Sequence, residues 1–221
     1  MEKEKRITAV EFAPGSRSKY QVYVDDELAF TVHEDILVKY RLLKGGILTE
    51  QEMTRIAGEE ERLRAYHDAL AYVARRPCSA EEIRMKLRRK KYPAEWIDEA
   101  VRRLQSRGYI DDREFAKMWA SQRIRGQLKG SRRIRQELMQ KGIGKEQVSE
   151  ALRNIDANEE YEAALKVARK RWKPDSESKD PKIRLKLAQH LIRRGFPNGI
   201  VQRVIREVTA GAVESDRTEY E

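Results

Sequence analysis

Apolar residues recur along this chain with two different periods. Near the N-terminus they alternate: Tyr20, Val22 and Val24, then Leu28, Phe30 and Val32, interleave with polar positions as half-buried strands do. Ile7, Val10 and Phe12 come before them, and Pro14-Gly15-Ser16 and Asp25-Asp26-Glu27 mark the turns between runs. This pattern predicts a three-stranded antiparallel meander. Ile36, Leu37, Tyr40 and Leu43 then fit a short helix ended by Gly45-Gly46. Thr49 with Glu52 forms a capping box opening a further helix, which either runs through Gly58 or breaks there. A sheet this small must pack on something, most simply on the helices that follow.

After these residues the period becomes helical, and one pattern occurs three times. Ile83, Leu87, Tyr92, Ile97, Val101 and Leu104 align with Ile134, Leu138, Ile143, Val148, Leu152 and Ile155, and these with Leu187, Leu191, Phe196, Val201, Ile205 and Val208. In each copy the first two residues are one helical turn apart, a hinge follows (Tyr92-Pro93, Ile143-Gly144, Phe196-Pro197), and the last three fall at i, i+4 and i+7. Two helices joined by a tight turn result. A third helix precedes each pair, over 60–76 with Leu63, Leu70 and Val73, over 112–127 with Phe115, Met118, Trp119 and Gln122, and over 157–172 with Tyr161, Leu165 and Ala168. Ser79 with Glu82, Asp111 with Glu114, and Asp180-Pro181 supply start signals.

The expected fold class is therefore mainly α: three tandem three-helix repeats forming an elongated curved array, with a small N-terminal β-meander plus helix. The boundaries are 1–58 for the β-rich extension, 59–110, 111–155 and 156–210 for the repeats, and 211–221 for a tail; residues 173–180 read as a polar loop. One such repeat buries little on its own, so neighbours are expected to stack. An extended helical surface suits binding better than catalysis.

Charge locates that binding. Of 221 residues 47 are Lys or Arg and 37 Asp or Glu, a net charge of +10. The net value is −1 over 1–58, +4 over 59–110, +5 over 111–155 and +2 over 156–221, so the excess lies mid-chain. That suits an acidic partner, either nucleic acid or an acidic protein groove. Most of the charges read as solvated helix faces with i,i+4 pairs. Arg132, Arg133 and Arg135 fit that reading less well, having few acidic neighbours at helical spacing.

Other chemistry is sparse. Gly126-Gln127-Leu128-Lys129-Gly130-Ser131 lacks the spacing of a phosphate-binding loop. His33, His67 and His190 lie far apart and read as surface or core histidines, and the single cysteine, Cys78, reads as an incidental thiol. No catalytic constellation emerges. The charged first six residues offer no signal-peptide core, and no run of about 18 apolar residues occurs, so a soluble cytoplasmic protein is expected.

Gly108-Tyr109-Ile110-Asp111-Asp112-Arg113-Glu114-Phe115-Ala116 and Lys129-Gly130-Ser131-Arg132-Arg133-Ile134-Arg135-Gln136-Glu137-Leu138, the latter followed by Lys141-Gly142-Ile143, resemble motifs of the RecX family. Ala69-Leu70-Ala71-Tyr72 and Ser79 to Leu87 are similar to the family's first module, and the resemblance covers about residues 62–210. The β-rich extension resembles that of the larger members.

The resemblance implies a non-enzymatic, cofactor-free regulator of the RecA recombinase in DNA repair, recombination and the SOS response. Family members lodge in the groove of RecA nucleoprotein filaments and alter assembly, disassembly, ATP hydrolysis and strand exchange. Carried onto this chain, the partner-binding residues are Arg123, Arg125, Lys129, Arg132, Arg133 and Arg135, with Arg84 and Arg88 of the first repeat. Tyr109, Asp111, Asp112 and Phe115 match the junction motif and read mainly as structural. The third repeat departs most, having no counterpart of Arg132-Arg133. A monomer is expected, contacting RecA filaments and single- or double-stranded DNA. The alternative is a direct DNA-binding protein, since the repeats are close to helix-turn-helix in layout and a helix bearing Arg132, Arg133, Arg135 and Gln136 fits a groove.

Overall fold

The computed structural model describes residues 4–172 and 181–215, the last five, 211–215, by their backbone alone. The polar segment 173–180, the Asp180 cap and residues 216–221 of the tail lie outside the described residues.

The N-terminal strands are β1 (Glu4–Phe12), β2 (Lys19–Val24) and β3 (Glu27–His33), antiparallel and joined as a meander. Asp25 and Asp26 take left-handed backbone angles (φ 50 and 67), the conformation of tight two-residue hairpins. The sheet differs from expectation in one respect. A fourth strand, β4 (Ile47–Thr49), pairs with Glu4–Arg6 and gives the order β3-β2-β1-β4. Gly45 and Gly46 thus return the chain to the sheet rather than only ending a helix: Gly45 N–H donates to Ile7 O and Ile7 N–H to Gly46 O, each at 2.8 Å. Three residues are too few for a period of two to be read.

Between β3 and β4 lies α1 (Glu34–Lys39), and α2 (Glu50–Val73) follows without a break at Gly58. The expected box at its start is formed, with Glu52 N–H donating to Thr49 Oγ1 at 3.2 Å and Thr49 N–H to Glu52 Oε2 at 2.8 Å. Ile7, Val22, Val24, Val32, Ile36, Leu42, Leu48 and Ile56 make one core between the sheet, α1 and the first turns of α2. Further along, α2 buries Ala65, Tyr66 and Ala69, whereas Leu63, Leu70 and Val73 are only half-buried. Alanines at the contact let the α2 backbone approach α4, so the buried stripe is set by small residues.

The remaining helices are α3 (Ala80–Arg89) and α4 (Ala94–Ser106) of the first repeat; α5 (Asp112–Gln127), α6 (Ser131–Gln140) and α7 (Lys145–Arg153) of the second; and α8 (Ala157–Arg171), α9 (Pro181–Arg193) and α10 (Asn198–Ser215) of the third. None of the repeating apolar positions is exposed. On α5, Phe115, Ala116, Ala120 and Ile124 are buried, while Met118 and Gln122, expected near the core, are exposed. The chain divides into two compact units, one of residues 1–75 and 86–106, the other of 76–85 and 107–221. Within the second, one core of Phe115, Ile124, Ile134, Leu138, Val148, Leu165, Leu191, Phe196 and their neighbours serves repeats two and three together. Sharing it removes the shortage of apolar area that a lone repeat faces.

Candidate functional site

The second repeat holds its cations on short, well-capped elements. Asp111 caps α5 by accepting the N–H groups of Arg113 (2.8 Å) and Glu114 (3.0 Å). The helix stops at Leu128, which adopts left-handed angles (φ 50). α6 has no cap from its own N-cap, Gly130. Its first amide, on Ser131, instead donates to Oε1 of buried Glu160 on α8 at 2.6 Å. One repeat earlier the same arrangement holds: the amide of Ala80, opening α3, donates to Asp112 Oδ1 of α5 at 2.9 Å. The middle helices of the first and second repeats are thus each capped by a carboxylate from the first helix of the next repeat.

A second recurring contact locks the joint. Gly130 N–H donates to Arg194 O at 2.9 Å and Arg132 N–H to Gly195 O at 3.0 Å. A Cβ on Gly130 would overlap the Gly195 and Phe196 backbone, and one on Gly195 (φ +92) would overlap Arg133. At the preceding joint Ser79 Oγ donates to Lys141 O at 2.7 Å, and Gly142 (φ +77) abuts Glu81. Ser79 also forms its expected box with Glu82, whose carboxylate takes Lys141 Nζ at 2.7 Å.

Beside α6 the basic residues separate into two groups. Glu137, nearly buried, collects the first: Lys129 Nζ donates to it at 2.6 Å, Arg123 Nε lies 3.1 Å away as an ion pair without hydrogen-bond alignment, and Arg133 Nε lies at 3.5 Å. Trp119 Nε1 donates to the same carboxylate at 3.2 Å. Arg123 and Lys141 lie over the Trp119 ring, 3.8 and 4.1 Å from its centroid. Burial raises the Glu137 carboxyl, but Lys129, Trp119 and Arg123 outweigh it and hold the group below the ordinary glutamate value. Arg123, with 16% of its side chain exposed, belongs to an internal strut.

The second group faces water. Arg132, Arg135, Gln136 and Met139 are all exposed, and their spacing makes one stripe along α6. Among the described residues the Arg132 side chain reaches Asn198 Oδ1, at 3.5 Å, and neither Arg132 nor Arg135 has a carboxylate within ion-pair distance. Arg133 is half-exposed and has one acidic neighbour at helical spacing, Glu137 one turn on. Arg125 is 70% exposed and pairs with Glu159. In the first repeat Arg84 lies 3.8 Å from Glu81 and Arg88 is exposed one turn further along α3. The corresponding positions of α9 are Leu185, Ala188, Gln189 and Ile192, so the equivalent face of α9 carries no arginine. Of the junction motif, Asp111, Asp112 and Phe115 have the structural roles expected, whereas Tyr109 is exposed.

The contacts of Glu160 with Ser131 and of Glu137 with Arg123 and Trp119 were invisible to spacing, because each joins two different helices. The same is true of His33 and His67. Their ring centroids lie 4.7 Å apart, edge to face, although the sequence separates them widely. Burial, then the neighbouring His33, lowers the pKa of His67.

Residues 65–104, 111–152 and 158–205 match the family descriptions RecX, first, second and third three-helix domain, respectively. The chain is 29% identical over 214 residues to the regulatory protein RecX of Listeria monocytogenes serotype 4b (strain F2365), covering 97% of this chain and 80% of that one. It is 30% identical over 203 residues to the protein of the same name from Limosilactobacillus reuteri (strain DSM 20016), covering 92% and 76%. A crystal structure of regulatory protein RecX superposes with a TM-score of 0.76 at 29% identity, over 90% of this chain and 98% of the other. The fold of RecX from Lactobacillus salivarius is also similar, with a TM-score of 0.62 at 24% identity, over 68% and 97%.

Proposed function

The chain belongs to the RecX family of regulatory proteins, and on that premise we propose that it binds RecA nucleoprotein filaments and modulates their assembly, disassembly, ATPase and strand exchange without chemistry of its own. The observation that carries this reading is the α6 stripe. Arg132 and Arg135 stand on a helix braced from behind by Glu160, Gly195 and the Glu137 strut, so two guanidinium groups without a carboxylate partner among the described residues are presented on one support. Guanidinium recognises carboxylate or phosphate bidentately, which suits an acidic protein groove or a nucleic-acid backbone. Arg125, Arg133, Arg84 and Arg88 extend the candidate contact set; Arg123 and Lys129 support it from within.

A ligand of this kind shifts a filament only by its differential affinity for the filament's states. Several modest contacts from tethered repeats add, because each raises the local concentration of the next. The direct test is binding of the purified protein to RecA filaments on single-stranded DNA, compared with the same DNA alone at matched salt. Preference for the filament supports the reading. Equal, strongly salt-dependent binding to bare DNA favours a DNA-binding protein instead.

A further inference from the structure

We propose that His33, Asp35 and His67 form a binding site for a divalent transition-metal ion of the zinc class. One donor atom from each of the three lies within 4.8 Å of the others. Zinc holds nitrogen and oxygen donors at about 2.0–2.2 Å, which puts donors in a tetrahedral site about 3.4 Å apart, so small side-chain rotations close the set. Two imidazoles and one carboxylate suit zinc, cobalt, nickel or copper, whereas calcium and magnesium take oxygen donors throughout.

The donors come from separate elements that are already tied together. His33 ends β3 and caps α1, its Nδ1 accepting the Asp35 amide at 3.3 Å, a long contact that the neutral imidazole gives up on ligating the ion through either nitrogen; Asp35 belongs to the first turn of α1. His67 projects from α2. Two turns before it, buried Glu60 accepts the His33 backbone N–H at 2.7 Å, fixing the strand end against α2. That outer carboxylate orients the ligand-bearing backbone and adds negative charge near the cation. Three protein ligands leave a fourth position for water. Bound there, the ion cross-links the end of the sheet to the long helix and stabilises this compact unit by linkage.

The experiment titrates Zn²⁺, or Co²⁺ as a visible-absorption reporter, into chelator-treated full-length protein. One equivalent binds saturably and raises the melting temperature. His67→Ala and Asp35→Asn each weaken binding at least about tenfold, while His190→Ala leaves it unchanged, and circular dichroism of the metal-free variants checks that they fold. No saturable equivalent, or an equivalent that survives His67→Ala, overturns the proposal. Because His33 also caps α1, its replacement is not needed for the decision.

Discussion

Gly130 and Gly195 meet backbone against backbone, with no room for a β-carbon on either. That contact seats the start of α6 on the turn between α9 and α10. Gly195→Ala incurs both a left-handed strain and an overlap, and should destabilise the protein by about 2–4 kcal/mol in urea unfolding. Gly130→Ala meets backbone on the other side of the same joint and should cost a similar amount. Gly126, in the last turn of α5 with open space around it, is the control, and Gly126→Ala should be neutral or stabilising. Equal effects at all three positions would show that the joint is not close-packed.

The left-handed turn position is glycine in repeats two and three (Gly142 and Gly195) but Lys91, at φ 63, in the first. Gly142 and Gly195 each meet the middle helix of the preceding repeat, whereas no repeat precedes the first. Only the backbone angle therefore disfavours Lys91. Lys91→Gly should stabilise by about 0.5–1 kcal/mol, seen as a higher denaturant midpoint at unchanged m. Destabilisation would mean that the lysine side chain makes a contact worth more than the strain.

Glu137 should make stability acid-sensitive. A carboxyl whose folded pKa is depressed contributes stability above its unfolded pKa and loses it as pH falls through the folded value. Glu137→Gln should therefore lower stability by about 1–3 kcal/mol at pH 7 and narrow its gap to the parent as pH drops below about 4. A gap that stays constant with pH would contradict the ionic role of the strut.

Much of this architecture was legible beforehand because it is local. Capping at Thr49, Ser79 and Asp111 and the i, i+4, i+7 stripes are set by residues a turn or two apart, and these stand as expected. What could not be read depends on distant chain segments: the three-residue β4, the Glu160 cap on α6, the Glu137 strut and the His33–His67 contact. The α5 core face was misjudged at Met118 and Gln122 because Ala116 and Ala120 carry the close packing, and alanine is a weak hydrophobic signal. At the candidate site, the periodicity puts Arg123 and Arg125 on one helix and Arg132, Arg133 and Arg135 on the next, as observed, but does not divide strut from surface. That division depends on one carboxylate approached from α5, from α6 and from the loop between them.

The division can be tested by stability alone. Arg123→Ala removes an ion pair at a nearly buried carboxylate and the cation over Trp119, and should cost about 1–3 kcal/mol. Arg132→Ala and Arg135→Ala should stay within about 0.5 kcal/mol of the parent by thermal unfolding. If the two surface changes destabilise as much as the strut change, α6 has no free face.

The most direct measurement is the single-strand-dependent ATPase of RecA with stoichiometric purified protein, comparing the parent with an Arg132→Glu/Arg135→Glu variant of equal stability. The parent should change the rate, and the double reversal should weaken that effect at least about tenfold, as expected when buried charge pairs at an interface are inverted. A parent protein without effect, or a variant as effective as the parent, would contradict the docking role of α6.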